Sequence, residues 1–462
     1  MGINLGAAMS PLICGYIGET YGWHYGFGLA TIGMLVGLAV FVVPVRGTQV
    51  VILGCALVTG VAMLFLQNNP YQLVVNGLVA LALLSAGITA FVALGRGGLP
   101  LEAGRPKRPE ALREKLWGVL RKDFAVYLGI LLALPILIVL IRRSEIAGWV
   151  LTLFGLAAFI WLVIEAFRAA RIERHRLFVV LILMFFSMLF WSFFEQAGSS
   201  LNNFADRNVD RVFEAHRIKN TDVGKTVRIT LTQEQLGYTN GGEMFALDAL
   251  TKAREAGHDT VDWHVDEKNV GMRIGGAEIP ASLFQAVNPI FILLFGLLFT
   301  GLWTFLSTRG WDPSTPVKFS LGLLQLGLAF LVIWYGAGHA DGRGMVDMGW
   351  LIISYLFMTT GELCLSPVGL SMVVKLSPAR MVSTVMGAWF LATAFSNYLA
   401  GMIASFTGVS HGEGEVQVIP PPIETVGVYG DIFGQIALTA IASALICFAL
   451  SPLLRRWMHE EA

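Results

Sequence analysis

Long apolar runs constrain this chain more than any other feature. About twelve stretches are long enough to cross the hydrocarbon core of a bilayer, which takes roughly 20 residues of helix. They lie near 3–17, 25–44, 49–66, 72–94, 124–141, 147–167, 178–201, 283–307, 317–336, 347–370, 381–406 and 431–454. In hydrocarbon each backbone N–H and C=O must be satisfied within its own segment, so runs of this kind fold as helices. The fold class that follows is an all-α polytopic membrane protein. Composition agrees: 55% of the residues are hydrophobic and 14% charged, against about 25% charged in a soluble domain. The first run is short and starts at Met1, which suggests a clipped helix or a shortened chain.

Basic residues set the orientation. With both termini in the cytoplasm, the inside loops hold about 19 Lys and Arg and the short outside loops about three. The densest set is Arg96, Arg105, Lys107, Arg108, Arg113, Lys115, Arg121 and Lys122, between segments four and five. The expected location is the inner (plasma) membrane. Net charge is zero, so no nucleic-acid partner is implied. Cys14, Cys55, Cys364 and Cys447 lie in apolar runs at unrelated spacings, which fits buried thiols and neither a metal site nor a disulfide framework. No phosphate loop, zinc-protease motif or nucleophile elbow is present, so the chain does not read as an enzyme and no catalytic residue or cofactor is assigned.

Residues 202–282 interrupt the apolar pattern and face outward. KTVRITLT (225–232) alternates like a strand, residues 241–257 look helical, and VDWHVDEKNVGMRIGG has strand and turn signals. His258, Asp262, His264 and Asp266 fit no ligand spacing, so this is a solvated insert.

Two acids at membrane depth carry the functional reading. Ser187, Trp191, Glu195, Ser199 and Asn202 fall on one face of the seventh segment, with Leu189, Phe190, Phe193 and Phe194 elsewhere. Tyr355, Thr359, Glu362, Ser366 and Gly369 share a face of the tenth, where Pro367 is expected to kink the helix. Gln285 and Asn288 lie on one side of the eighth segment's start, and Trp389, Thr393 and Asn397 on one face of the eleventh. A carboxylate in hydrocarbon costs roughly 2–4 kcal/mol, so such a residue normally faces a cavity. Small polar residues alone would also suit a helix-packing face, but packing does not need a carboxylate. Acids whose protonation biases an inward–outward equilibrium are what a symporter requires.

Four stretches carry a resemblance. They are MGINLGAAMSPLICGYIGETYGWHYGFGLATIGM (1–34), FWSFFEQAGSSLNNFA (190–205), IPASLFQAVNPIFI (279–292) and GELCLSPVGLSMVVKLSPARMVSTVMGAWFLATAFSNYLAG (361–401). They resemble the proton-dependent oligopeptide transporter family of the major facilitator superfamily. The resemblance implies a helix bundle that takes up di- and tripeptides with protons, driven by the proton gradient. By position, Asn4 resembles the fifth-helix asparagine that contacts peptide, and Glu195 the seventh-helix acid that couples to protons. Asn288 resembles the eighth-helix asparagine near the peptide. Glu362 resembles the tenth-helix acid facing the peptide amino terminus, with Ser366 beside it, and Trp389 the eleventh-helix aromatic of a side-chain pocket. Glu195 and Glu362 are thus the expected proton-coupling pair, and Asn4, Asn288, Glu362, Ser366 and Trp389 the substrate contacts.

The chain also departs from the family pattern. Family members carry four helices before the MGINLG region, with an ExxERF-type motif, a functional lysine and an arginine that pairs with the seventh-helix acid. Four segments, not two, lie between the sixth and seventh family helices. The expected organisation is therefore a remnant of the N-terminal bundle (1–44), inserted helices and a basic loop (45–176), the first helix of the C-terminal bundle (177–201), the outward insert (202–282) and the rest of that bundle (283–462). The complete gene product is expected to be a proton–peptide symporter; residues 1–462 alone, lacking one wall of the cavity, are expected not to accumulate peptide. The competing readings are a non-transporting membrane scaffold or partner subunit, and a symporter of another small solute.

Overall fold

The computed structural model describes residues 2–21, 25–30, 33–34, 45–65, part of 77–95, 114–116, 120–213, 216–257, 260–407 and 419–459. Most of the basic loop, the second half of the segment expected at 25–44, most of that expected at 72–94, and His258 lie outside the described residues.

The first segment is helical throughout: α1 (Gly2–Ser10), one π-helical turn (Pro11–Gly15) and α2 (Tyr16–Tyr21). Helix thus continues through Gly18–Tyr21, where a connector was expected. Next come α3 (Val45–Phe65), α4 (Lys122–Arg142), α5 (Ser144–Arg168) and α6 (Arg171–Phe194). A short hairpin, Lys115–Leu116 with Leu120–Arg121, precedes α4. A 3-10 turn (Glu195–Gly198) separates α6 from α7 (Ser200–Asn208). Beyond the insert, which contains α8 (Leu247–Glu255), the chain forms α9 (Val287–Thr308), α10 (Thr315–Ala337), α11 (Met348–Leu376), α12 (Val382–Ser405) and α13 (Pro422–Met458). Among the described residues, seven helices are long and apolar enough to cross a bilayer.

Pro367 lies inside α11, which continues through it. Two other elements differ from expectation. Helix α13 begins nine residues earlier than the apolar run, because Pro421 and Pro422 supply a helix start with no N–H to satisfy. The seventh segment is broken at Glu195. Gly198 and two serines follow, a combination that bends helices because serine hydroxyls compete for backbone partners. Ser199 Oγ donates to the Glu195 carbonyl at 3.3 Å, and Ser199 itself leaves helical geometry (φ −127°, ψ −97°).

The core lies among α6, α10, α11, α12 and α13. Leu183, Phe190, Leu323, Phe330, Leu351, Tyr355, Phe433 and Cys447 are all essentially inaccessible there. Close approach of α10 to α13 depends on Gly327, where an added Cβ would lie 2.6 Å from Ile441. By contrast α4 and α5 are apolar on nearly every side and little buried, as for helices facing lipid.

The insert is a small β-unit seated on the bundle. Thr226–Thr230, a strand as its alternation suggests, pairs antiparallel with Thr260–His264 over a core of Ile218, Ile229, Trp263, Val265 and Met272. Three capped 3-10 turns each end in a left-handed glycine: Gly224 (φ 81°), Gly237 (φ 79°) and Gly271 (φ 92°). At the neck, Val209–Asp210 pairs with Val346–Asp347, just before α11. Arg211, 2% exposed at its side chain, bridges Asp206 at 2.9 Å and Glu278 at 3.3 Å. Arg343, from the α10–α11 loop, donates to the carbonyls of Glu234 (2.6 Å) and Leu236 (3.3 Å) and covers the Tyr238 ring at 4.4 Å. Glu234 lies beneath, 3.4 Å from Arg343. Burial raises its carboxyl above the ordinary glutamate value of 4.5, and the neighbouring Arg343 offsets part of that shift.

Candidate functional site: an acid-lined cavity between α1, the α6–α7 break and α9

A cavity of about 370 Å3 opens where the α6–α7 break meets α1, α9 and α11. That volume falls in the range of small-molecule sites. Glu195, Ala197 and Gly198 come from the break, Ala7, Ser10 and Pro11 from the first segment, Gln285 from the 3-10 turn before α9, Asn288 and Pro289 from the start of α9, and Tyr355 from α11. Breaking the helix at Glu195 turns this short stretch toward the void. The stripe expected along one continuous helix is divided by it. Ser187 is buried in the core, Trp191 packs edge-on against Phe190 and Phe194, and Phe194, expected elsewhere, lines the cavity.

Asn288 is the central connector. Its Nδ2 donates to Thr359 Oγ1 and to Glu362 Oε2, each at 3.1 Å. Thr359 donates in turn to the Tyr355 carbonyl at 2.7 Å. The Asn288 amide therefore lies between the cavity and the Glu362 carboxyl.

The other expected contacts lie further off. Asn4 is half-buried on α1, one turn before the lining residue Ala7, on a helix whose Leu5 and Met9 pack with Ile290 of α9. Ser366 is half-buried, one turn beyond Glu362 on α11. Trp389, 5% exposed, is packed edge-on to Phe319 with centroids 6.5 Å apart, and it closes over Gly369, where an added Cβ would meet its ring at 2.8 Å. It is not among the lining residues. The cavity thus brings together Glu195 and Asn288 with Glu362 behind it, and leaves Asn4, Ser366 and Trp389 outside its immediate lining.

Sequence reasoning did not find two contributors. Gln196, fully buried, donates to the carbonyls of Ser192 and Ala400, both at 3.1 Å, and accepts from Ser200 at 2.6 Å. The lining from Ser10 and Pro11 was also missed. The Gly-Ser-Ser run after Gln196 was the available signal for a helix break.

These features define a multi-pass membrane protein with a helix bundle of the major facilitator type around an acid-bearing cavity. A sequence profile of the POT family matches residues 1–51 and 262–419. The matched stretches make up a little under half of the chain and carry the pattern of this family of transporters. It is 27% identical over its whole length to the peptide transporter YePEPT of Yersinia enterocolitica, covering 68% of that protein. It is 26% identical to the uncharacterized transporter YclF of Bacillus subtilis over 99% of this chain and 66% of the relative. The crystal structure of a mutant of the peptide transporter POT in complex with alafosfalin superposes with a TM-score of 0.56 at 25% identity, covering all of this chain and 67% of that one. The chain thus spans about two thirds of the length of these relatives.

Proposed function

We propose that the protein is a proton-coupled symporter of di- and tripeptides, working in the cell inner membrane with both termini in the cytoplasm. The observation that carries this is one cavity bordered by Glu195 and, through Asn288, by Glu362. A peptide offers an ammonium group, a carboxylate and amides. Glu362, oriented by Asn288, is suited to the ammonium as a charge-assisted hydrogen-bond acceptor. Glu195, on the break, is suited to take and release the driving proton as the cavity changes access. Asn4, Ser366 and Trp389 then belong to an outer ring of contacts that approaches when the cavity closes. The similarity to peptide transporters supports the substrate class. The region before Val45 and the C-terminal helices are proposed as parts of two bundles, with 45–176 as added helices and the insert as an outward cap.

The test is uptake by the protein as its own cells make it, reconstituted in liposomes. An imposed proton gradient should concentrate a labelled dipeptide, and Glu195→Gln should abolish concentration while retaining peptide exchange. Gradient-driven accumulation equal to wild type in both Glu195→Gln and Glu362→Gln would remove the coupling roles.

A further inference from the structure

The break that carries Glu195 is held from two sides by glutamines. Gln196 points away from the cavity and pins the break to α12 through the Ala400 carbonyl. Gln285 approaches from the cavity side. Its Nε2 donates to the Ala197 carbonyl at 2.7 Å and to Asn202 Oδ1 at 3.1 Å, so it spans the break from the 3-10 turn to α7. It precedes Asn288 by three residues, in the 3-10 turn Ala281–Ala286 that leads into α9. Both line the same cavity.

We propose that Gln285 is a positioning residue for Glu195. It ties the turn that bears this acid to the helix start that bears Asn288, so that the Glu195 turn moves with the amide that holds Glu362. The inference rests on the transport reading above and adds a coupling element to it. A short 3-10 stretch inside a longer helix is a common hinge, because it converts to α geometry by exchanging one set of backbone bonds for another. The Ala197 carbonyl is one of the acceptors exposed by that irregularity, and Gln285 occupies it. A ligand held by Asn288 and Glu362 then bears on the Glu195 turn through one side chain. The titratable groups around Glu195 among the described residues are Tyr355 on the cavity wall and Glu362 behind Asn288.

Gln285→Met keeps the side-chain length and removes both donors; Asn202→Ala removes one acceptor from the opposite side. Amide hydrogen exchange over 198–203 should be about tenfold faster in Gln285→Met, with a smaller increase in Asn202→Ala. Accumulation against a gradient should fall in both variants, tenfold or more in Gln285→Met, while dipeptide counterflow by Asn202→Ala, whose residue is not among the cavity lining, should stay within twofold of wild type. Equal loss in both transport modes, or no change in either, overturns the positioning role, and unchanged exchange overturns the tether. If wild-type protein moves no dipeptide in either mode, the transport reading falls and takes the positioning role with it, whatever the exchange rates show.

Discussion

Replacing Asn288 by leucine removes both Nδ2 hydrogen bonds at nearly constant volume. Thr359 loses an incoming bond but keeps its own, 2.7 Å to the Tyr355 carbonyl, so no hydroxyl is orphaned. Glu362 loses the 3.1 Å bond that orients Oε2. At about 1 kcal/mol per neutral hydrogen bond the total is about 2 kcal/mol, with the Glu362 bond rising to 1.5–3 kcal/mol while the acid is ionised. If this falls on the peptide-bound state, transport kcat/KM drops roughly 30-fold. The assay is initial-rate dipeptide uptake for wild type, Asn288→Leu, Glu362→Gln and the double variant. Because the side chains touch, their effects should be non-additive by about 1–2 kcal/mol. Additivity within about 0.5 kcal/mol would refute a shared role for the pair.

Other predictions concern the insert and its attachment. Glu234 has its carboxyl raised by burial, so the folded state holds that proton more tightly than the unfolded chain, and the penalty of ionising it appears as pH rises above 4.5. Glu234→Gln should therefore melt above wild type at pH 8 and match it at pH 4; lower stability at pH 8 would show that the Arg343 contact outweighs burial. Arg211→Met leaves Glu278, mostly buried, short of one partner and should destabilise the neck by about 3 kcal/mol. A calorimetric melt unchanged within error would contradict that.

Much of the membrane part was legible because hydrocarbon allows one solution for a long apolar run. Residues 147–167 became Ser144–Arg168, and 381–406 became Val382–Ser405. Strand 226–230 was legible from alternation and 260–264 from strand and turn signals, though not their pairing with each other. The break at Glu195 was not, since the polar period of three and four persists through it while the cause is a local contest between serine hydroxyls and backbone. Contacts such as Arg343 to the Glu234 carbonyl join residues 109 apart in the chain and leave no local pattern. At the site, residue types were readable: Glu195 and Glu362 stood out as acids at membrane depth, and Asn288 through its place at a helix entry and the family resemblance. Which of them share a void depended on the bend, and that is why Phe194 enters the lining and Trp389 packs behind Gly369.

The central claim, a water-filled cavity bordered by the Glu195 turn, is tested most directly by labelling cysteines. In protein with Cys14, Cys55, Cys364 and Cys447 replaced, Ser10→Cys and Gly198→Cys should react with a charged, membrane-impermeant thiol reagent, and a dipeptide should protect them. Leu445→Cys and Phe448→Cys, exposed on the outside of α13, should stay unmodified. Inert cysteines at 10 and 198, or labelling no greater than at 445 and 448, would contradict the account.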